Sequence, residues 1–252
     1  DWVRHVGAHV SAGRAKVSKV HIQSVDFFGP KVGFVKFKAD VTVDGKFVPG
    51  IVFSRGGSVA ILVVLIHEGT PYTVLVRQPR VAVGNMTMPE IPAGMVDGCG
   101  NFSGAAAKEL KEETGIDIHE KDLIDMTDLA FGDAYPGMYP SCGASDEFNR
   151  LFLYRREVTA AELESLQGCL TGVAEEGEHI KLQIIPLGDL WKMSPDAKAL
   201  GALCLYRRLF TSKLHYDDIW NRISGLQRVT RCLPQALLAV VSRRCRHMAQ
   251  AW

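Results

Sequence analysis

The chain has 252 residues, 47% hydrophobic and 23% charged, with 29 Lys and Arg against 28 Asp and Glu. That hydrophobic fraction excludes a disordered chain and suits one large or two small globular domains. A net charge of +1 gives no global field for nucleic acid or an anionic membrane, and the longest apolar run, Val59 to Ile66, falls far short of the roughly 20 residues of a spanning helix.

The first 23 residues hold one acid among several Arg, Lys, His and Ser. That bias resembles the tail of a transit peptide and sets the expectation of an intracellular, organellar address, the mitochondrion being the candidate; a flexible N-terminus gives the same composition. From Val20 to Val52 short apolar runs alternate around turns at Phe28-Gly29-Pro30 and Asp44-Gly45, which predicts an antiparallel β region. A buried strand from Ser58 to Ile66 and another from Tyr72 to Arg77 follow. A helix is expected from Ser103 to Thr114, then a strand-like stretch from Leu123 to Phe131, a long loop from Gly132 to Asp146 and a strand from Leu151 to Tyr154. Next come a helix from Ala160 to Leu166, a strand from Ile180 to Leu187, and helices at Leu190 to Met193 and Ala197 to Phe210. The mixture makes the fold class α/β or α+β. Beyond His215, arginines 228, 231, 243, 244 and 246 flank the apolar run Ala236 to Val241. A helix of that kind packs on its own domain or offers a surface to a partner, a membrane or RNA. The six cysteines form no CxxC pair, so neither a zinc site nor a disulfide framework is expected.

The helix at 103–114 carries the chemistry. Ser103 is a candidate N-cap and Gly115 a candidate C′ residue, and between them Glu109, Glu112 and Glu113 stand at i, i+3 and i+4. This spacing gathers three carboxylates on one face while Ala107, Leu110 and Thr114 turn to the core. Like-charged pairs at that spacing cost about 0.2–0.5 kcal/mol each, a sign that a divalent cation with hard oxygen ligands would reverse. A solvated acidic face, eased by Lys108 and Lys111, is the alternative for spacing alone.

The surrounding residues favour the cation. The stretch from Gly94 to Ile116 resembles the Nudix box at Gly94, Glu109, Leu110, Glu112, Glu113, Gly115 and Ile116, and departs from it at Gly100 and Lys108, where the family has Glu and Arg. The resemblance runs over about residues 20–212, through Gly33-Phe34-Val35-Lys36-Phe37-Lys38-Ala39-Asp40, Arg77-Gln78-Pro79-Arg80, Glu90-Ile91-Pro92-Ala93-Gly94 and Leu190-Trp191-Lys192-Met193. It is closest to the ADP-sugar and ADP-ribose diphosphatases, especially the plant-type ADP-sugar enzymes.

The resemblance implies a Nudix fold, a mixed β-sheet sandwiched between helices behind an N-terminal antiparallel β region. Residues 1–57 would be that β region, expected to form a homodimer; 58–213 the Nudix hydrolase domain; and 214–252 a basic helical tail. By the same resemblance Glu109 and Glu113 hold Mg²⁺ or Mn²⁺, with Glu112 assisting and the Ala93 carbonyl a further ligand. Arg80 would hold diphosphate, and Glu90 would touch substrate or pair with a neighbouring base. Ser141 to Glu147 resembles the family's Ser-Pro-Gly loop ending in a catalytic Glu, with Cys142 in place of Pro. The implied reaction is attack of water on a phosphorus of a nucleotide-sugar diphosphate, giving AMP and a sugar phosphate, with Glu147 or a box residue such as Glu112 as base. The alternative is an RNA-associated protein on the same fold, a 5′-phosphate pyrophosphohydrolase or a ribonucleoprotein module, suggested by the basic tail.

Overall fold

A computed structural model of the chain describes residues 2–96, 101–173 and 179–211. Two sheets carry the fold, and the apolar pattern separates them. The first follows α1 (Trp2–Ser11) and contains β1 (Ala15–Phe28), β2 (Lys31–Val43), β3 (Lys46–Val48) and β4 (Ile51–Ser54), with β1, β3 and β4 all antiparallel to β2. Phe37, Ala39 and Val41 alternate along β2 and bury one face with Val52, closed by Trp2 of α1, whose ring meets Phe37 edge-on at 4.8 Å. Phe27, Phe28, Val32 and Ile22 remain exposed. The expected flexible N-terminus is therefore corrected: β1 begins five residues before Val20 because Ala15 to Lys19 pair with Val43 to Asp40 of β2.

The second sheet has eight strands in the order β11-β12-β6-β5-β10-β9, with β7 on β6 and β8 on β5. Its members are β5 (Gly57–His67), β6 (Thr70–Arg80), β7 (Asn85–Glu90), β8 (Ala93–Met95), β9 (Ile124–Asp125), β10 (Phe148–Glu157), β11 (Leu170–Thr171) and β12 (Ile180–Pro186). β5 runs parallel to β10 and antiparallel to β6 and β8. Its side chains are buried on both faces, which is why it reads as a continuous apolar run: Ala60, Leu62 and Val64 pack into one cluster, and Val59, Ile61 and Val63 into the other. Each Leu or Ile buried here stabilises the sheet by about 1.5–3 kcal/mol.

One cluster is covered by α3 (Met126–Phe131), α5 (Leu190–Met193) and α6 (Ala197–Tyr206). The other is covered by α2 (Phe102–Thr114) and α4 (Ala160–Leu166). This is the expected mixed sheet between helices. The strand-like stretch from Leu123 to Phe131 is corrected to two strand residues and then α3, because Asp125 turns its side chain onto the Asp128 N–H at 2.9 Å and caps a helix instead of extending the strand. No helix among the described residues is long and apolar enough to cross a membrane. Cys142, Cys169 and Cys204 are free thiols. Gly100 and the basic tail at 214–252 lie outside the described residues.

Candidate active site

The acidic helix is fixed at both ends. Asn101, rather than Ser103, is its N-cap, accepting from the Gly104 N–H at 3.0 Å. Gly115 takes the left-handed conformation at φ 73° that ends the helix and returns its N–H to the Lys111 carbonyl. Between them Ala106, Leu110, Glu113 and Thr114 are buried, so Ala106 takes the core position expected of Ala107, and the acidic and apolar faces are not separate. Glu113 is only 3% exposed. Its carboxylate accepts from the Ala93 N–H at 2.8 Å and from Gln78 Nε2 at 3.2 Å, which ties α2 to β8 and β6.

Glu109, one turn earlier, lies against the next residue of β8. A Cβ on Gly94 would overlap its carboxyl carbon, so only glycine leaves room for that carboxylate beside the strand. Glu112 does not join them: it pairs with Lys108 at 3.3 Å on the outer side of the helix. The expected convergence of three carboxylates is thus corrected to two at β8 and one turned to a lysine.

Strand β6 extends the site. Two residues beyond Gln78, Arg80 Nε donates to Glu90 Oε2 at 2.5 Å, and the other oxygen of Glu90 accepts from Lys198 Nζ at 2.9 Å. Lys198 also donates to Asp196 at 3.0 Å, and Asp196 caps α6 through the Ala199 N–H. Burial pushes the Glu90 carboxyl up, but Lys198 and Arg80 outweigh it and hold it below the usual carboxylate range. Burial likewise pushes Lys198 down, and the charges of Asp196 and Glu90 more than reverse it. Glu90 therefore does pair with bases, two of them, while Arg80 keeps 39% of its side chain exposed.

The expected long loop is pinned at its far end. Asp146 accepts from Ser54 Oγ at 2.8 Å and from the backbone N–H of Arg55 at 2.8 Å and of Gly56 at 3.2 Å; Ser145 Oγ donates to the Phe53 carbonyl at 3.0 Å. Burial raises the Asp146 carboxyl, and these hydrogen bonds prevail and lower it. Glu147 follows, accepting from Asn149 Nδ2 at 3.3 Å and facing Arg55 at 3.7 Å. Asn149 in turn donates to Ser58 at 2.5 Å. Register carries this group to the acidic helix: Asn149 lies beside Ser58 of β5, and Ser58 lies opposite Met95, next to Gly94. Two strand spacings, about 10 Å, separate the Glu147 side from the Glu109 side, and Arg55 Nε donates to Met95 Sδ at 3.4 Å across them.

Comparison with known proteins interprets this geometry. The NUDIX domain model matches residues 57–207, more than half of the chain. The chain belongs to the Nudix family. A relative from Arabidopsis thaliana, Nudix hydrolase 14, chloroplastic, is 42% identical over 214 residues, covering 82% of this chain and 68% of that protein. An uncharacterised Nudix hydrolase of Schizosaccharomyces pombe is 36% identical over 81 residues, covering 32% of this chain and 37% of its own length. The crystal structure of an ADP compounds hydrolase superposes with a TM-score of 0.52 at 17% identity, over 77% of this chain and 93% of that one, a likeness of fold. The fold is the Nudix fold and the chain is a Nudix hydrolase.

Among the described residues of this hydrolase, no three His, Cys, Asp or Glu side chains gather closely enough to hold a cation by themselves. The Glu109 carboxylate against Gly94 and the buried Glu113 carboxylate next to it are hard oxygen donors of the kind a divalent cation takes alongside retained waters and phosphate oxygens. Lys198, Asp196, Arg55, Asp146 and Asn149 escaped the sequence reading. The signal in reach was Asp196, a cap residue ahead of an apolar helix, which places Lys198 in its first turn.

Proposed function

We propose that the chain hydrolyses the diphosphate bond of an ADP-sugar, ADP-ribose or ADP-glucose, to AMP and a sugar phosphate. The observation that carries this reading is the placing of Gln78 and Arg80 on one strand, the first on the buried Glu113 and the second, partly exposed, on the buried Glu90. A guanidinium that can grip phosphate oxygens thus stands two residues along β6 from the glutamine that holds a carboxylate of the box helix. That the fold neighbour is an ADP compounds hydrolase supports the nucleotide assignment.

Mg²⁺ or Mn²⁺ would be held by Glu109 and Glu113, with the Ala93 carbonyl a further oxygen, and would supply charge neutralisation of the phosphoryl oxygens. Arg80 binds and orients the diphosphate. Glu147 takes the proton of the attacking water, its carboxylate aligned by Asn149 and Arg55. Glu112, held by Lys108, is the second candidate base. The exposed apolar face of β1 and β2 supports a homodimer through residues 1–57, checked by light scattering. The chloroplastic label of the Arabidopsis relative supports an organellar address, checked by an import assay.

The test is incubation with Mg²⁺ and, separately, ADP-ribose, ADP-glucose and 5′-triphosphorylated RNA, with identification of the products. AMP from an ADP-sugar is expected. Phosphate or diphosphate release from RNA, with the ADP-sugars left intact, overturns the reading in favour of the RNA-associated alternative.

A further inference from the structure

Glu90 is shared between two cations, and how it is shared decides what Arg80 can do. Its Oε2 meets Arg80 through Nε alone, at 2.5 Å, while its Oε1 is taken by Lys198 at 2.9 Å. A buried carboxylate facing a lone arginine favours the two-bond fork, using Nε and a terminal nitrogen or both terminal nitrogens. Glu90 is 5% exposed, and among the described residues Lys198 is what competes with Arg80 for its second oxygen. Lys198 is itself fixed. Its side chain is 16% exposed and bonds Asp196, which caps α6, while Ser194, fully buried at the end of α5, donates to the Pro89 carbonyl at 2.7 Å, directly before Glu90. The start of α6 is thereby bolted to the end of β7.

We propose that Lys198 is a positioning residue for Arg80: by occupying Oε1 of Glu90 it confines the carboxylate to Nε and leaves the terminal edge of the guanidinium to a diphosphate. This rests on the diphosphatase reading above. The terminal nitrogens carry four N–H groups in one plane that can meet phosphate oxygens, whereas a fork through Nε and one terminal nitrogen spends one of them and turns the guanidinium towards the carboxylate. Asp196 balances the charge of Lys198, so the cluster sets orientation without adding net charge at the phosphate site.

The experiment compares Lys198→Met, Lys198→Arg and Arg80→Ala with the intact chain, using ADP-ribose and Mg²⁺. Lys198→Met is expected to raise KM about tenfold with kcat changed less than about threefold, Lys198→Arg to restore KM, and Lys198→Met to add nothing on an Arg80→Ala background. An unchanged KM in folded Lys198→Met, or a full additional rise on the Arg80→Ala background, overturns the proposal. Should Lys198→Met not fold, Asp196→Asn/Lys198→Met, which removes one charge of each sign and keeps a capping side chain, serves under the same criteria. A second readout needs no turnover. In NMR of the arginine side chains, the terminal N–H signals of Arg80 should be exchange-averaged in the intact chain and become slowed and protected in Lys198→Met, as the fork with Glu90 closes. If ADP-ribose is not a substrate, the functional reading fails while this measurement still decides the positioning role, and terminal signals alike in both proteins overturn it.

Discussion

The two walls of the site are built by different means. On the α2 side the carboxylates are set by close backbone approach: Glu109 against a glycine that admits no Cβ, Glu113 on the Ala93 N–H. On the loop side Glu147 is set by a chain of polar contacts, with Asp146 gathering Ser54, Arg55 and Gly56 and with Asn149 leaning on Ser58. The first kind of wall fails when a methyl group is added, and its failure is one of placement. The second yields contact by contact, and each loss also weakens the fold because it takes the acceptor from a part-buried or buried donor.

The largest effect that sharpens this contrast is at the loop wall's reacting group: Glu147→Gln should lower kcat by about 10²–10⁴, the usual contribution of a general base, with the metal requirement unchanged. Wild-type kcat would transfer that role to Glu112. Next is Gly94→Ala. The atoms it strikes are the far end of the flexible Glu109 side chain, so the melting temperature should stay close to wild type while activity falls by about 10², as expected for a catalytic group misplaced by an ångström. A fall in stability with retained activity would show that the wall is not built by close approach.

Asp146→Ala should act on both quantities. It strands the N–H groups of Arg55 and Gly56, costing about 1–3 kcal/mol in denaturant unfolding, and lowers kcat by loosening Glu147. Because the folded state holds the Asp146 carboxyl below the ordinary range, its contribution is complete above the unfolded value of 3.8 and is lost as pH falls through the folded value. The stability gap between wild type and Asp146→Ala should therefore be full at neutral pH and narrow in acid. The smallest effect is expected outside both walls, at Lys108→Ala, where an exposed i,i+4 pair contributes about 0.3–0.5 kcal/mol to stability and nothing to turnover.

The difference between the walls also explains what the sequence could reveal. The α2 wall is local, one helix with its spacing and one glycine just ahead of it, so Glu109, Glu113 and Gly115 can be read from the chain alone. Strand β5 is equally plain from Val59 to Ile66, where burial on both faces leaves an unbroken apolar run. The loop wall and the Lys198 cluster join residues about 90 and 108 positions apart, and no local periodicity marks Asp146 for Gly56 or Lys198 for Glu90. Where local signals compete, sequence pattern misleads. Leu123 and Ile124 begin like a strand until Asp125 caps α3, and the basic N-terminal composition concealed a strand whose pairing partner lies beyond a hairpin turn.

The central proposal is that Glu109 and Glu113 of α2, set against β8, form the metal-dependent half of a diphosphatase. The most direct test is Glu109→Gln, measured as turnover of ADP-ribose over a Mg²⁺ titration together with the melting temperature. This substitution removes a charge without the volume change that would disturb Gly94. The account predicts turnover reduced by at least about 10³, not rescued by saturating Mg²⁺, in a protein that melts at or above the wild-type temperature because repulsion within the helix is relieved. Turnover within a few-fold of wild type at the same Mg²⁺ would contradict it.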